Sequence, residues 1–175
     1  MRVTTAFNRF LGLHASYVTA VTATRDSVEI EVRLARRNLR CPHCDYRTRH
    51  VYDTRPAPSR WRHLDVFGRP CHITARLRRV QCPTHGAHVE AVPFASARSR
   101  FTADMERLIL WSAATMAWSS AATLCRVSWR TVRAIVERAV PGRVDLKNAT
   151  GIRRVGVDEI SYRRGHKYVT LVIDH

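Results

Sequence analysis

Lysine is almost missing from this sequence: among 30 basic residues only Lys147 and Lys167 are not arginine. Acidic residues are scarce too, 14 against those 30, which leaves a net charge of +16. A GC-rich coding bias accounts for arginine over lysine, but not for the excess of positive charge. A folded chain this basic is expected to meet a polyanion, with nucleic acid the first candidate, and arginine forks suit phosphates and guanine edges. There is no run of 18 apolar residues, which excludes a membrane-spanning helix. The first residues, MRVTTAFNRFLGLHASY, lack a continuous apolar core and a small-residue cleavage site. A secretory signal is therefore not expected, and a cytoplasmic location follows. No internal repeat and no low-complexity tract occurs. A hydrophobic fraction of 45% with 25% charged residues excludes global disorder. The five cysteines, an odd number in such a chain, argue for metal binding over a disulfide framework.

Along the chain, residues 1–35 carry valine-rich alternation. SVEIEVRLAR places an apolar side chain at every second position (Val28, Ile30, Val32, Leu34), the pattern of a strand with one buried face. Helix or irregular structure is expected before it, near Phe7 to Leu13. Residues 36–92 are rich in cysteine and histidine and poor in helical pattern, a small β-rich module. Within it RPAPSR is a loop, Gly68-Arg69-Pro70 reads as a turn, and His72 to Val80 as one strand. Pro93 and ASARSR read as a linker. A helical region spans 93–142. Thr102 caps its first helix, with Asp104 and Glu106 in the first turn, and a short helix runs from Ala121 to Cys125. Arg126-Val127 turns the chain, and Ser128 caps a helix from Trp129 to Val140 that Pro141-Gly142 ends. Residues 143–175 read as two apolar strands around Gly165, and an isolated hairpin is marginal in water.

Three motifs carry chemistry. CPHC (41–44) and CPTH (82–85) share a two-residue gap, the knuckle that lets two ligands reach one tetrahedral ion. Cys41, Cys44, Cys82 and His85 would close a structural zinc site, with His88 the alternative to His85. Cys71 and Cys125 read as buried small hydrophobes. His43, His50, His63 and His72 read as surface or packing residues. The second motif is a helix-turn-helix in which Ala122, Val132 and Ile135 face inward. Arg126, Ser128, Trp129, Arg130, Thr131 and Arg133 are the candidates to face a DNA groove. The turn position often held by glycine is Arg126, which weakens the pattern, and a plain helical pair is the competing reading. The third is Asp158 in VGVDEISY, a carboxylate on a strand of the kind that holds a divalent metal in nucleases. Most such residues are merely polar strand ends, and Asp174 is a weaker candidate.

The stretches CPHC, WRHLDVFGRPCHITARLRRVQCPTHG, SRFTADMERLILW, VSWRTVRAIVERAV and GIRRVGVDEISYRRGHKYVTLVIDH together resemble the ISL-three-type insertion-sequence transposases. The resemblance implies an α+β chain. Its parts are a zinc-ribbon-like domain (36–92), a helix-turn-helix domain (93–142) and a C-terminal β-hairpin (143–175) that begins a truncated RNase-H-like domain. It aligns Asp158 with the first of three catalytic acids and puts the other two beyond His175, so whether this chain is itself an enzyme stays open. It implies binding of double-stranded DNA at the terminal inverted repeats of an insertion sequence, with structural Zn²⁺. Mg²⁺ is expected only for a complete catalytic domain, homo-oligomers only at full length. A bacterial, nucleoid-associated location is also implied. The alternatives are a non-catalytic DNA-binding regulator derived from such a transposase, and a zinc-stabilised protein whose partner is not DNA.

Overall fold

The computed structural model describes residues 2–13, 15–35 and 38–140, and the backbone of two strands at 155–163 and 167–174. The chain divides into two compact units, Met1–Ile135 and Val136–His175.

The first unit opens with α1 (Val3–Leu11), closed by Gly12 in the left-handed conformation at φ 54°. Its Phe7 and Leu11, with Leu13 after it, pack on the main core, and Asn8 Oδ1 accepts from the Val18 amide at 2.7 Å. β1 (Ser16–Ala23) and β2 (Val28–Leu34) form an antiparallel pair. The predicted alternation holds, since Val28, Ile30 and Val32 are all buried. β2 then pairs in parallel with β7 (Arg69–Ala75), which pairs antiparallel with β6 (Ser59–Val66). The sheet order is β1-β2-β7-β6, so strands from either side of residue 35 share one core. Trp61, Cys71, Ile73, Leu77 and Phe94 complete that core.

Two details of the β-rich stretch differ from the sequence expectation. The β6–β7 turn is Phe67-Gly68, not Gly68-Arg69-Pro70. Both turn residues have positive φ, 51° and 74°, the mirror-image turn whose twist suits a two-residue hairpin. A phenylalanine there costs about 1 kcal/mol relative to glycine. The expected strand His72–Val80 is two strands, β7 and β8 (Arg78–Cys82), which lie in different sheets. β8 sits between β5 (Asp53–Thr54) and β9 (Gly86–Val89), and β3 (Leu39–Arg40) pairs with β4 (Arg47–Thr48).

The stretch read as a linker is part of the packing. Phe94 is buried and meets Trp61 edge-on at 5.3 Å between centroids. The Arg62 amide donates to Arg100 O and the Thr102 amide to Arg62 O, at 2.8 and 3.0 Å. These bonds run the segment alongside β6 and deliver the chain to α2 (Ala103–Thr115). Thr102 caps that helix as expected, its hydroxyl accepting from the Met105 amide at 3.4 Å. The same hydroxyl lies 2.9 Å from Nδ1 of buried His63 on β6. The hydroxyl, with one hydrogen and two lone pairs, can serve both the amide and the ring, and burial of His63 favours its neutral form. α3 (Trp118–Cys125) follows, starting three residues before the expected Ala121, and then α4 (Trp129–Ala139). Ile109, Ala122, Cys125, Val132 and Ile135 form the buried faces of these helices.

In the second unit β10 (Val155–Arg163) pairs antiparallel with β11 (Lys167–Asp174), the two strands expected there. The expected turn at Gly165 and helix stop at Pro141-Gly142 lie outside the described residues.

Candidate metal centre and nucleic-acid interface

The two knuckles sit on paired strand ends. CPHC occupies the turn between β3 and β4, where the Cys41 amide donates to Tyr46 O at 3.0 Å. CPTH occupies the turn between β8 and β9, where Cys82 pairs with Gly86. Gly86 has φ 77°, a left-handed conformation that lets the chain reverse directly after His85. A buried ion pair pins the base of this second hairpin: Glu90, 4% exposed, accepts from Arg78 Nε at 2.8 Å and Nη2 at 2.7 Å. The contact holds Arg78 protonated beyond its ordinary range.

The structure brings together the four residues singled out from the sequence. One ligand atom each from Cys41, Cys44, Cys82 and His85 lies within 4.8 Å of the others. The edges are 3.7 Å from Cys44 Sγ to Cys82 Sγ, 3.5 Å from Cys82 Sγ to His85 Nδ1 and 3.8 Å from Cys41 Sγ to His85 Nδ1. Zinc with sulfur ligands at about 2.3 Å demands sulfur–sulfur edges of about 3.8 Å, slightly less to nitrogen. The donor set and spacing therefore fit a tetrahedral zinc ion with no open position. His88, the alternative ligand, instead places Nε2 2.6 Å from His85 O and its ring 4.6 Å from that of His43. Burial works against ionisation of Cys82, yet the His85 amide, the His85 ring and the Thr84 amide hold its thiol down at about 6. The thiolate, the form that binds metal, is thus favoured there. At Cys44 the Tyr46 amide favours the thiolate, but burial and the neighbouring Cys82 and Cys41 thiols prevail and push the group up.

The remaining cysteines are structural. Cys71 is fully buried in the main sheet, and burial raises its thiol to about 11. Buried Cys125 points its Sγ at Ser112 Oγ, 3.9 Å away, between α3 and α2. His63 is a packing residue, and burial lowers its pKa below the ordinary 6.5. His72 lies 3.2 Å from Glu29 across β2 and β7. His43 and His50 are exposed.

α3 and α4 form the helix pair. Val132 and Ile135 are buried, while Trp129, Arg130 and Arg133 are exposed and Thr131 is half-buried. Ser128 Oγ accepts from the Thr131 amide at 3.2 Å and caps α4. Arg126 takes the left-handed turn conformation that a glycine would take more cheaply, φ 53°. Its side chain does not reach along α4. Nη1 donates to Asp65 Oδ2 at 2.8 Å and to Gly68 O at 2.9 Å, tying the helix turn to the β6–β7 hairpin. Sequence reasoning missed this tie, because nothing local pairs residue 126 with residues 65–68. Asp158 lies on β10 opposite Leu171. Neither its side chain nor that of Asp174 is among those described.

Comparison with known proteins follows the same division. Residues 37–85 match the zinc-finger family of transposases IS204/IS1001/IS1096/IS1165. Residues 90–140 match the helix-turn-helix domain of transposase family ISL3. Two curated proteins, transposases for insertion sequence element IS1557 from Mycobacterium tuberculosis strains CDC 1551 / Oshkosh and ATCC 25618 / H37Rv, are each 38% identical over 139 residues. That alignment covers 78% of this chain and 31% of each relative, so the chain spans about a third of their length. No solved structure matches.

Proposed function

We propose that this chain, a portion of an ISL3-family transposase, binds double-stranded DNA and recognises the terminal inverted repeats of an insertion sequence. The observation that carries this reading is α4. Its first turn is capped by Ser128, Val132 and Ile135 are turned inward, and Trp129, Arg130 and Arg133 are left exposed. In this reading Arg130, Thr131, Arg133 and Trp129 meet base edges in a major groove, while Ser128 and the helix N-terminus meet phosphate. Arg126 acts through the turn it holds more than through a base. The other arginines neutralise phosphates and supply affinity without sequence information.

Cys41, Cys44, Cys82 and His85 hold a structural zinc ion that keeps the β3–β4 and β8–β9 knuckles together. In a complete protein, β10 and β11 would open an RNase-H-like domain, with Asp158 helping to hold Mg²⁺ for strand cleavage and transfer. Homo-oligomers belong to that full-length protein. A nucleoid-associated location follows from DNA binding.

The test uses labelled duplexes carrying the ends of the chain's own element and a mixed-sequence duplex. Arg130→Ala with Arg133→Ala should weaken binding to the element ends by about tenfold or more, and to mixed sequence by much less. Equal losses on both duplexes would mean that these arginines touch phosphates alone and would remove α4 as the reader of sequence.

A further inference from the structure

Phe67 stands at the tip of the β6–β7 hairpin, 92% exposed, the most exposed large apolar side chain among the described residues. Its backbone sits at φ 51° in a turn whose geometry asparagine or glycine would satisfy with less strain. Exposure and strain both count against phenylalanine here, and among the described residues the ring is left almost wholly uncovered. Backbone strain of this kind concentrates at functional sites.

The tip is also fixed in place. Arg126, in the turn between α3 and α4, grips Asp65 Oδ2 and Gly68 O on either side of Phe67. Two residues further on, Ser128 caps α4. The hairpin that carries the exposed phenyl ring is therefore tied to the turn that leads into the helix proposed to read DNA, whose first residue, Trp129, is also exposed. Local charge favours a polyanion. Asp65, the lone acid of the hairpin, is paired with both Arg62 and Arg126, and Arg69 flanks the tip.

We infer that the Phe67-Gly68 tip is a second DNA-contacting element, its phenyl ring inserting into the minor groove next to the major-groove segment that α4 occupies. The inference rests on the DNA-binding reading of α4. Apolar wedges of this type enter the minor groove by partly unstacking a base step, most easily a flexible pyrimidine–purine step. Arg126 is then a positioning residue that sets the spacing between helix and wedge.

The test compares the zinc-loaded chain with Phe67→Asn, a residue suited to the left-handed turn, on a labelled mixed-sequence duplex containing TA steps. The expected result is a thermal midpoint equal to or above that of the parent, with duplex affinity lower by about tenfold. The salt dependence of affinity should stay the same, because no phosphate contact is lost. End-to-end energy transfer across the duplex should report a bend with the parent chain and a smaller one with the variant. Equal affinity and equal bending would overturn the inference while leaving DNA binding by α4 intact. So would a loss of self-association at unchanged affinity per chain, since Phe67 would then face a second copy. A parent chain that binds no duplex, or binds with a flat salt response, would instead overturn the DNA-binding reading itself.

Discussion

Thr102 shows how one side chain can join two parts of a fold. Its hydroxyl caps α2 through the Met105 amide and is hydrogen-bonded to His63 Nδ1 on β6, and the residue is fully buried. Thr102→Ala removes the cap, a loss of about 1 kcal/mol. It also leaves a buried ring nitrogen without its hydrogen-bond partner, a further cost of about 1–3 kcal/mol. Urea unfolding should show a combined loss of about 2–4 kcal/mol, and Thr102→Ser should restore most of it. A loss below 1 kcal/mol would mean that the hydroxyl does not serve both partners. His63 adds a pH dependence with a definite sign. Burial lowers its pKa in the fold below the ordinary 6.5, so the unfolded chain takes up the proton first as pH falls. The stability tied to neutral His63 is complete above the unfolded value and is lost as pH drops toward the folded value. The zinc ligands also lose metal in acid, so the useful quantity is the difference between the parent and His63→Asn. That difference should change as pH falls below the ordinary 6.5 and stay constant well above it; a constant difference throughout would refute a neutral buried His63.

At the level of elements, local pattern was legible in the sequence and long-range pairing was not. The alternation of Val28, Ile30 and Val32 marked β2, and Thr102 and Ser128 marked two helix starts, because each signal resides within a few residues. The Cys-x-x-Cys and Cys-x-x-His gaps marked the metal cluster, since a knuckle needs that spacing whatever surrounds it. Nothing local marks the parallel pairing of β2 with β7 or the grip of Arg126 on the β6–β7 turn. The break at Arg76-Leu77 was hidden for a related reason. β7 and β8 are both β-rich in composition, and only their partners assign them to different sheets. Polar composition made 95–100 read as a linker, yet its backbone is what bonds to β6. Spacing alone leaves both His85 and His88 open as the fourth ligand, and the position of the His85 ring favours it. The geometry now gives that choice an experiment. His85→Ala should drop zinc content from one ion per chain toward zero and unfold both knuckles, whereas His88→Ala should keep the ion. Zinc retained in His85→Ala and lost in His88→Ala, by elemental analysis, would reverse the assignment.

For the whole chain, the dominant property is its charge of +16. Several arginines are already committed within the fold: Arg78 to Glu90, Arg79 to Asp53, Arg60 to Glu29, and Arg62 and Arg126 to Asp65. These five arginines use four acids, and the supply of acids is only 14 against 30 basic residues, so more than half of the positive charge has no carboxylate to neutralise it. Self-repulsion on that scale works against a compact fold unless a polyanion answers it. A zinc ion held by the Cys41, Cys44, Cys82 and His85 cluster would not alter this balance much, because three thiolates and one dication nearly cancel. A duplex laid along the chain would release one condensed counterion for each phosphate that an arginine replaces. Log affinity should then fall linearly with log salt at a slope near −0.9 per phosphate contacted, about −5 for a footprint of about six phosphates. Substituting one exposed arginine such as Arg98 or Arg100 should make the slope shallower by about 1 on every sequence, if that residue touches phosphate. A base-reading arginine on α4 should instead change the ratio between sequences, and Phe67 should change affinity at constant slope. The three classes of contact are therefore separable in one set of salt titrations, and a slope near zero for the parent chain would remove all three together.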